Sequence, residues 1–158
     1  MTVILVPMAE PEFEAYLQPA IRNYANEKAK SGIWKPEDAQ QRSEREFQDL
    51  LPLGLASPNT FFYTIRLTES GENVGMIWVS AEERGGRQMA FVYDFIVAEE
   101  HRRHGYGEQA FRELETKMRE VGLLKIGLHV FGFNHGARAL YTKLGYIETD
   151  VTMVKQLD

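Results

Sequence analysis

The most visible absence in this 158-residue chain is cysteine. Without thiols the chain forms no disulfide, offers no thiolate ligand to zinc and has no cysteine nucleophile. The four histidines combine with no acidic residues at a spacing typical of metal ligands, so we predict no metal site. Long apolar runs are absent too, because no stretch approaches the roughly 20 residues that cross a bilayer and the N-terminus carries no basic leader. We therefore expect a cytoplasmic protein with no membrane partner.

Basic residues are outnumbered by acidic ones, 18 Lys and Arg against 23 Asp and Glu. The net charge is -5, which disfavours a nucleic-acid partner, because proteins that bind nucleic acid usually present a basic face. The basic residues that do stand together form one loop, His101 to His104. An apolar fraction of 44% suits one hydrophobic core of ordinary size. We predict a single domain over residues 1–158.

Hydrophobic periodicity predicts an alternation of strands and helices. Two helices, one after Pro11 and one from Pro36, precede most of the sheet. Two more helices are predicted around 110–121 and 137–144. Strands are predicted at 3–6, 61–67, 74–80, 89–97 and 126–131, with a final pair within 146–154. This order indicates an α/β (α+β) fold, in which a mixed, mostly antiparallel sheet of about six to seven strands is flanked by four helices.

The segment Ile96–Gly107 joins the end of a predicted central strand to the start of a helix. It contains the pattern Arg102-x-x-Gly105-x-Gly107. Glycines let the backbone approach a ligand closely, and free amides at a helix start point towards an anion. We predict that the backbone amides of residues 103–108 bind a pyrophosphate and that Arg102 and Arg103 add positive charge. The direct inference is a phosphate-bearing cofactor.

Two motifs make the chain resemble the GNAT superfamily of N-acetyltransferases over nearly its whole length. The first is Arg102-Arg103-His104-Gly105-Tyr106-Gly107, which is similar to the acyl-CoA pyrophosphate signature Arg/Gln-x-x-Gly-x-Gly/Ala. The second is Asn134-x-x-Ala137-x-x-x-Tyr141 followed by Lys143-Leu144-Gly145-Tyr146, which resembles the second cofactor segment of that family. The segment 34–39 also resembles functionally uncharacterised bacterial members, and that likeness brings no substrate with it.

The resemblance implies an acyl-CoA N-acyltransferase domain whose fourth and fifth strands splay apart. It implies acetyl-CoA as the acyl donor, with the pantetheine arm bonded like an added strand to backbone groups of residues 95–97. Asn134 corresponds to a residue whose amide contacts that arm, and Tyr141 to a tyrosine that protonates the departing thiolate. The implied reaction is direct acetyl transfer to a primary amine, of a small molecule, peptide or protein, in a ternary complex. The predicted cofactor-binding residues are Phe95, Ile96, Val97, Arg102, Arg103, His104, Gly105, Tyr106, Gly107, Glu108, Asn134 and Tyr141.

Tyr141 and Asp94 are the predicted catalytic residues. A phenol has an ordinary pKa near ~10 and can donate a proton at neutral pH, although the position of Tyr141 on an apolar helix face also fits core packing. Asp94 interrupts an apolar strand, where it is a candidate to deprotonate the acceptor ammonium, directly or through water. A structural alternative for Asp94 is pairing with Arg66 or Arg102. His129, a glutamate or water are the other candidate bases.

Two rival functions follow from the same residues. Gly105-x-Gly107-x-x-Ala110 formally fits a dinucleotide-binding pattern, but seven residues lie between the strand and the first glycine, and the next strand offers no acid. The retained alternative is a non-catalytic acyl-CoA-binding sensor or interaction module. The amine acceptor, the preferred acyl chain and the oligomeric state stay open. A homodimer formed through a strand edge or the C-terminal strands is compatible with the sequence.

Overall fold

A computed structural model describes residues 2–158. Its strands and helices follow one another in the order β-α-α-β-β-β-α-β-α. Their bounds are β1 Val3–Pro7, α1 Glu10–Lys30, α2 Pro36–Leu50, β2 Thr60–Leu67, β3 Asn73–Arg84, β4 Arg87–Val97, α3 Tyr106–Glu120, β5 Ile126–Leu128 and α4 His135–Lys143.

The sheet has the strand order β1-β2-β3-β4-β5. The first four strands pair antiparallel, and β5 pairs parallel to β4 after the crossover through α3. The predicted mixed, mostly antiparallel α/β architecture with four α-helices is therefore confirmed. The predicted count of six to seven strands is wrong, because five strands form within residues 2–158.

Both faces of the sheet are covered by helices. On one face α3 buries Phe111, Leu114 and Met118 among apolar side chains of the central strands. On the other face α1 and α2 contribute Phe13 and Phe47, which pack with further aromatic residues of the sheet. These faces follow from helical spacing, since residues three, four and seven apart lie on one side of a helix. The central strand β4 is thus enclosed between two helical layers.

A bulge interrupts the pairing of β3 with β4. Trp78 pairs with Asp94, whereas the next residue, Val79, pairs with Val92, so Tyr93 is an extra residue on β4. Such a bulge bends its strand and redirects the side chains beside it. Beyond the bulge β4 also loses its other neighbour, because β5 pairs only with residues 90–92. The strand therefore continues to Val97 with one edge open, which is the predicted splay.

The C-terminal strand pair predicted within 146–154 does not form. Residues 145–158 contain no strand, and the apolar side chains of Ile147, Met153 and Val154 are more than four-fifths exposed. β-branched residues favour a strand only where a partner edge and a burying surface exist. β5 ends at Leu128 instead of the predicted Phe131 and so provides a three-residue edge. The segment is tied to α4 by an exposed ion pair of Glu148 with Arg138.

Gly75 sets the spacing of β3 and β4 where the edge of β4 opens. A Cβ atom built on Gly75 would overlap the carbonyl oxygen of Ile96. Because this oxygen belongs to the backbone, it cannot move aside by a change of rotamer. We expect Gly75→Ala to lower the free energy of unfolding by about 1–3 kcal/mol or more, measured by urea denaturation. Gly136→Ala is the matched control, because its Cβ meets no atom within 4 Å and alanine favours helix α4. Equal stability of the Gly75 variant and the wild type would contradict this packing.

Candidate active site

A cleft of about 930 Å³ opens where β4 and the chain after β5 diverge. Its walls also include α1, α2, the start of α3 and α4. Most of the predicted site residues line it, namely Asp94, Phe95, Ile96, Val97, Arg102, Arg103, Gly105, Tyr106, Gly107, Asn134 and Tyr141. His104 and Glu108 lie outside the lining. Residues that are distant in sequence are therefore brought to one surface.

The glycine loop enters α3 through a left-handed backbone. Gly105 caps the helix at a φ of 78°, and Arg103 just before it has a φ of 66°. The first helical bond runs from the Gln109 amide to the Gly105 carbonyl, at 3.2 Å. Within residues 2–158 the amides of residues 106–108 consequently donate to no carbonyl or side chain. Such free amides at the positive end of a helix suit an anionic ligand.

Gly107 allows α3 to approach β4 closely. A Cβ atom at this position would lie 3.0 Å from Cζ of Phe95 and 3.3 Å from Cδ2 of Leu140. Both neighbours line the cleft, so a larger residue here would push its walls apart. Gly107 is thus explained by the close packing of α3 on β4, whereas Gly105 is explained by its left-handed backbone conformation.

The charged side chains around the loop have separate roles. Arg102 donates from Nε to the Val97 carbonyl at 2.9 Å and so joins the loop to the end of β4. His104 stacks on Tyr106, with ring centroids 5.3 Å apart. Glu108 pairs with Lys143 at 2.8 Å and Arg112 at 2.9 Å, and hydrogen bonds from these cations lower its pKa. The Glu108 side chain is therefore engaged with α3 and α4, and only its amide is offered to a ligand.

The open edge of β4 carries backbone groups in a defined order. Ala98 donates to the Val74 carbonyl, so alternation along the antiparallel ladder turns Ile96 towards β3 and turns Phe95 and Val97 towards the open side. The Phe95 amide is bonded to its neighbour Asp94, and the Val97 carbonyl accepts Arg102. Among the described residues, the Phe95 carbonyl and the Val97 amide are the backbone groups left without a partner on this edge. Ile96 contributes its side chain to the cleft instead.

Asp94 lies half-buried at the centre of the cleft. Its Oδ2 accepts a hydrogen bond from the Tyr16 hydroxyl at 2.7 Å, and its Oδ1 accepts the Phe95 amide at 2.9 Å. Burial raises the pKa of Asp94, while these two hydrogen bonds act in the opposite direction. The alternative partners are engaged elsewhere, since Arg66 pairs with Glu12 and Arg102 bonds to backbone. Within residues 2–158, Asp94 thus faces the cleft without a salt bridge to a cation.

Tyr141 extends from α4 into the same cleft. Its ring packs at the edge of Phe111 and Tyr146, with centroids 5.4 Å and 5.8 Å away. Burial, followed by the nearby charge of Asp94, raises the pKa of Tyr141 to about 12. The phenol therefore keeps its proton at neutral pH. Core packing and a place in the cleft, which were competing interpretations of the sequence, are both present.

His129 and Asn134 lie on the wall opposite β4. His129 follows the last residue of β5, and burial together with the charge of Lys28 lowers its pKa. Asn134 caps α4 by accepting the Ala137 amide at 3.3 Å, as its position in the sequence predicts. Its amide nitrogen is directed to no protein partner within residues 2–158.

Sequence reasoning missed two side chains of α1. Tyr16 binds Asp94, and Glu27 lines the cleft, where burial and the charge of Asp94 raise its pKa. A signal existed, because Tyr16, Asn23 and Glu27 are seven and four residues apart and so share one helical face. The spacing does not indicate that this face is directed towards β4, because that depends on how α1 packs on the sheet.

Comparison with known proteins identifies the group to which this arrangement belongs. A family model described as the acetyltransferase (GNAT) family matches residues 19–146. The chain belongs to this family. Among residues 2–158 of this GNAT protein, no helix is long and apolar enough to cross a membrane, and no group of three His, Asp or Glu side chains is placed to hold a metal ion.

Two relatives and two solved structures are similar to this GNAT protein. It is 45% identical to the uncharacterised N-acetyltransferase YycN of Bacillus subtilis, over 99% of this chain and 100% of YycN. It is 35% identical to the uncharacterised N-acetyltransferase YdgE of the same organism, over 99% of both chains. The crystal structure of YycN superimposes with a TM-score of 0.91, covering 99% of both chains at 44% identity. The structure of AAC(6')-Iy in complex with the bisubstrate analog CoA-S-monomethyl-acetylneamine shares the fold at a TM-score of 0.59 and 13% identity, over 100% of this chain and 99% of AAC(6')-Iy.

Proposed function

We propose that this GNAT protein transfers an acetyl group from acetyl-CoA directly to a primary amine in a ternary complex. The observation that carries the proposal is the arrangement of Asp94 and Tyr141 in one cleft with the free amides of α3 and the open edge of β4. A proton acceptor, a proton donor and an anion site are the groups that such a transfer requires. The acceptor is a small molecule or a peptide or protein amine.

The residues of the cleft fit the shape and charge of acetyl-CoA. The amides of residues 106–108, with Arg103 beside them, would hold its pyrophosphate. The Phe95 carbonyl and the Val97 amide would pair with the amides of its pantetheine arm. Asn134 has an amide nitrogen to offer to the same arm. When bound, acetyl-CoA supplies an acetyl group activated as a thioester.

Asp94 and Tyr141 would perform the two proton transfers. Asp94 takes a proton from the acceptor ammonium, directly or through water, which leaves a neutral nucleophilic amine. Tyr141, whose pKa of about 12 keeps it protonated, would donate a proton to the thiolate as the C–S bond breaks, and the second proton lost by the acceptor nitrogen as the C–N bond forms would restore the phenol. His129 is the less suitable base, since it lies beyond the end of β5 on the wall opposite β4. The absence of cysteine agrees with transfer that uses no covalent enzyme intermediate.

The same cleft without transfer would be a sensor of acyl-CoA, and this is the second candidate. The presence of both Asp94 and Tyr141 favours the enzyme, because a sensor needs neither proton transfer. The organisation of residues 1–158 as one domain, the cytoplasmic location and a homodimer stay predictions. A metal takes no part in the proposed reaction.

The proposed function is tested by calorimetric titration of the purified protein with acetyl-CoA, with NADH as the control nucleotide. We expect binding of acetyl-CoA alone, followed by thiol release when amines from a library are added. Failure to bind acetyl-CoA would overturn the proposal. Binding without thiol release from any amine would favour the sensor instead. An amine whose addition causes thiol release from acetyl-CoA would begin to identify the class of acceptor.

A further inference from the structure

A tyrosine outside the cleft is bonded to the candidate base inside it. Tyr16 belongs to the first third of α1 and is half-buried between that helix and the sheet, where its ring meets Phe13 and Phe62. Its hydroxyl reaches Asp94 Oδ2 at 2.7 Å, across the boundary between helix and sheet. Tyr16 does not line the cleft, so its contact with the candidate site is the hydrogen bond to Asp94.

We propose that Tyr16 is a positioning residue, which fixes the Asp94 carboxylate and holds it ionised as the proton acceptor of the transfer. This inference rests on the proposed function. With Oδ2 bonded to Tyr16 and Oδ1 to the Phe95 amide, the carboxylate has one orientation relative to the open edge of β4. The bulge at Tyr93 explains why this orientation is available, because it turns Asp94 out of the regular alternation of the strand.

The groups around Asp94 show why a hydrogen-bond donor is needed there. Glu27 faces it from the same helix as Tyr16, Tyr141 faces it from α4, and Trp78 pairs with it from β3. No salt bridge to Asp94 or Glu27 forms within the described part of the chain. Burial and a second carboxylate both oppose ionisation of a carboxyl group. The two donated hydrogen bonds are the contacts of Asp94 that favour its charged form.

The burial of Tyr16 agrees with a donor role. Desolvation and the charge of Asp94 raise the pKa of Tyr16 well above its ordinary value, so the phenol keeps its proton and donates at neutral pH. The same charge acts on Tyr141 across the cleft. Asp94 thus lies between Tyr16, which orients its carboxylate, and Tyr141, which is the proposed proton donor to the leaving thiolate.

The test is Tyr16→Phe, which removes the hydroxyl and keeps the ring contacts. ¹³C-NMR titration of the aspartate carboxyl groups, with the Asp94 signal assigned by its loss in Asp94→Asn, is expected to show a higher pKa for Asp94 in the variant. This measurement needs neither acetyl-CoA nor acceptor. With an active amine, we expect kcat/KM to fall about tenfold on the acid side of the pH profile and to recover at high pH, with KM for acetyl-CoA unchanged.

Two further variants separate positioning from general support of the fold. Tyr63→Phe is the matched control, because Tyr63 is a half-buried tyrosine of β2 that does not line the cleft, and its pH profile should equal that of the wild type. In an Asp94→Asn background, Tyr16→Phe should cause no further loss of kcat/KM. The inference would be overturned if the pKa of Asp94 were unchanged in Tyr16→Phe. It would also be overturned if kcat/KM fell equally at every pH, or fell by the same factor in the Asp94→Asn background. If the pKa of Asp94 rose in Tyr16→Phe but the wild type acetylated no amine, the effect of Tyr16 on Asp94 would hold and the proposed function would be wrong.

Discussion

Gly105→Glu is expected to abolish acetyl-CoA binding. The glycine caps α3 at a φ of 78°, directly before the amides proposed to hold the pyrophosphate. A glutamate there would bring a negative charge and a long side chain to an anion site, and it would strain a left-handed backbone by about 1–2 kcal/mol. We expect no heat of acetyl-CoA binding in calorimetry at concentrations that saturate the wild type.

The chain offers a control with the same strain and the same charge. Gly86 in the β3–β4 turn also has a φ of 78°, and a Cβ atom there meets nothing within 4 Å. Gly86→Glu should lose similar stability but bind acetyl-CoA as the wild type does. Gly105→Asn, which tolerates positive φ and adds no charge, should retain weakened binding. Undiminished binding in Gly105→Glu would refute the assignment of the anion site.

Local patterns predicted most of the fold. β2 was expected at 61–67 and spans Thr60–Leu67, and β4 was expected at 89–97 and spans Arg87–Val97. These strands are read correctly because they carry continuous aromatic and β-branched side chains between turn residues. The C-terminal segment carries a similar pattern and forms no strand, since strand formation depends on a pairing edge that the pattern does not contain.

The candidate site was predictable where it is contiguous in sequence. The glycine loop and the helix cap at Asn134 depend on neighbouring residues, so their conformations follow from composition and spacing. The partner of Asp94 was not predictable, because Tyr16 lies 78 positions earlier and meets it only through the packing of α1 on β4. The bulge at Tyr93, which decides how Asp94 is directed, has no local sequence signal either.

Tyr141→Phe is expected to leave acetyl-CoA binding intact and to slow turnover by about 10²–10⁴-fold, the usual contribution of a general acid. The ring contacts with Phe111 and Tyr146 do not involve the hydroxyl, so packing should survive the change. The remaining activity should increase for thioesters whose thiols are more acidic, because their thiolates leave without a proton. Single-turnover thiol release at saturating acetyl-CoA measures this step.

The pH dependence gives Tyr141 a second, independent signature. A phenol with a pKa of about 12 stays protonated through neutral and mildly alkaline pH, so the wild type should lose no proton donor below about pH 10. Loss of activity as the pH rises through the pKa of Tyr141 should therefore be absent from Tyr141→Phe and present in the wild type. Tyr146→Phe is the control, since Tyr146 is a half-buried neighbour that does not line the cleft. If Tyr141→Phe turned over as fast as Tyr146→Phe, the hydroxyl of Tyr141 would have no catalytic role, and the ring would serve packing alone.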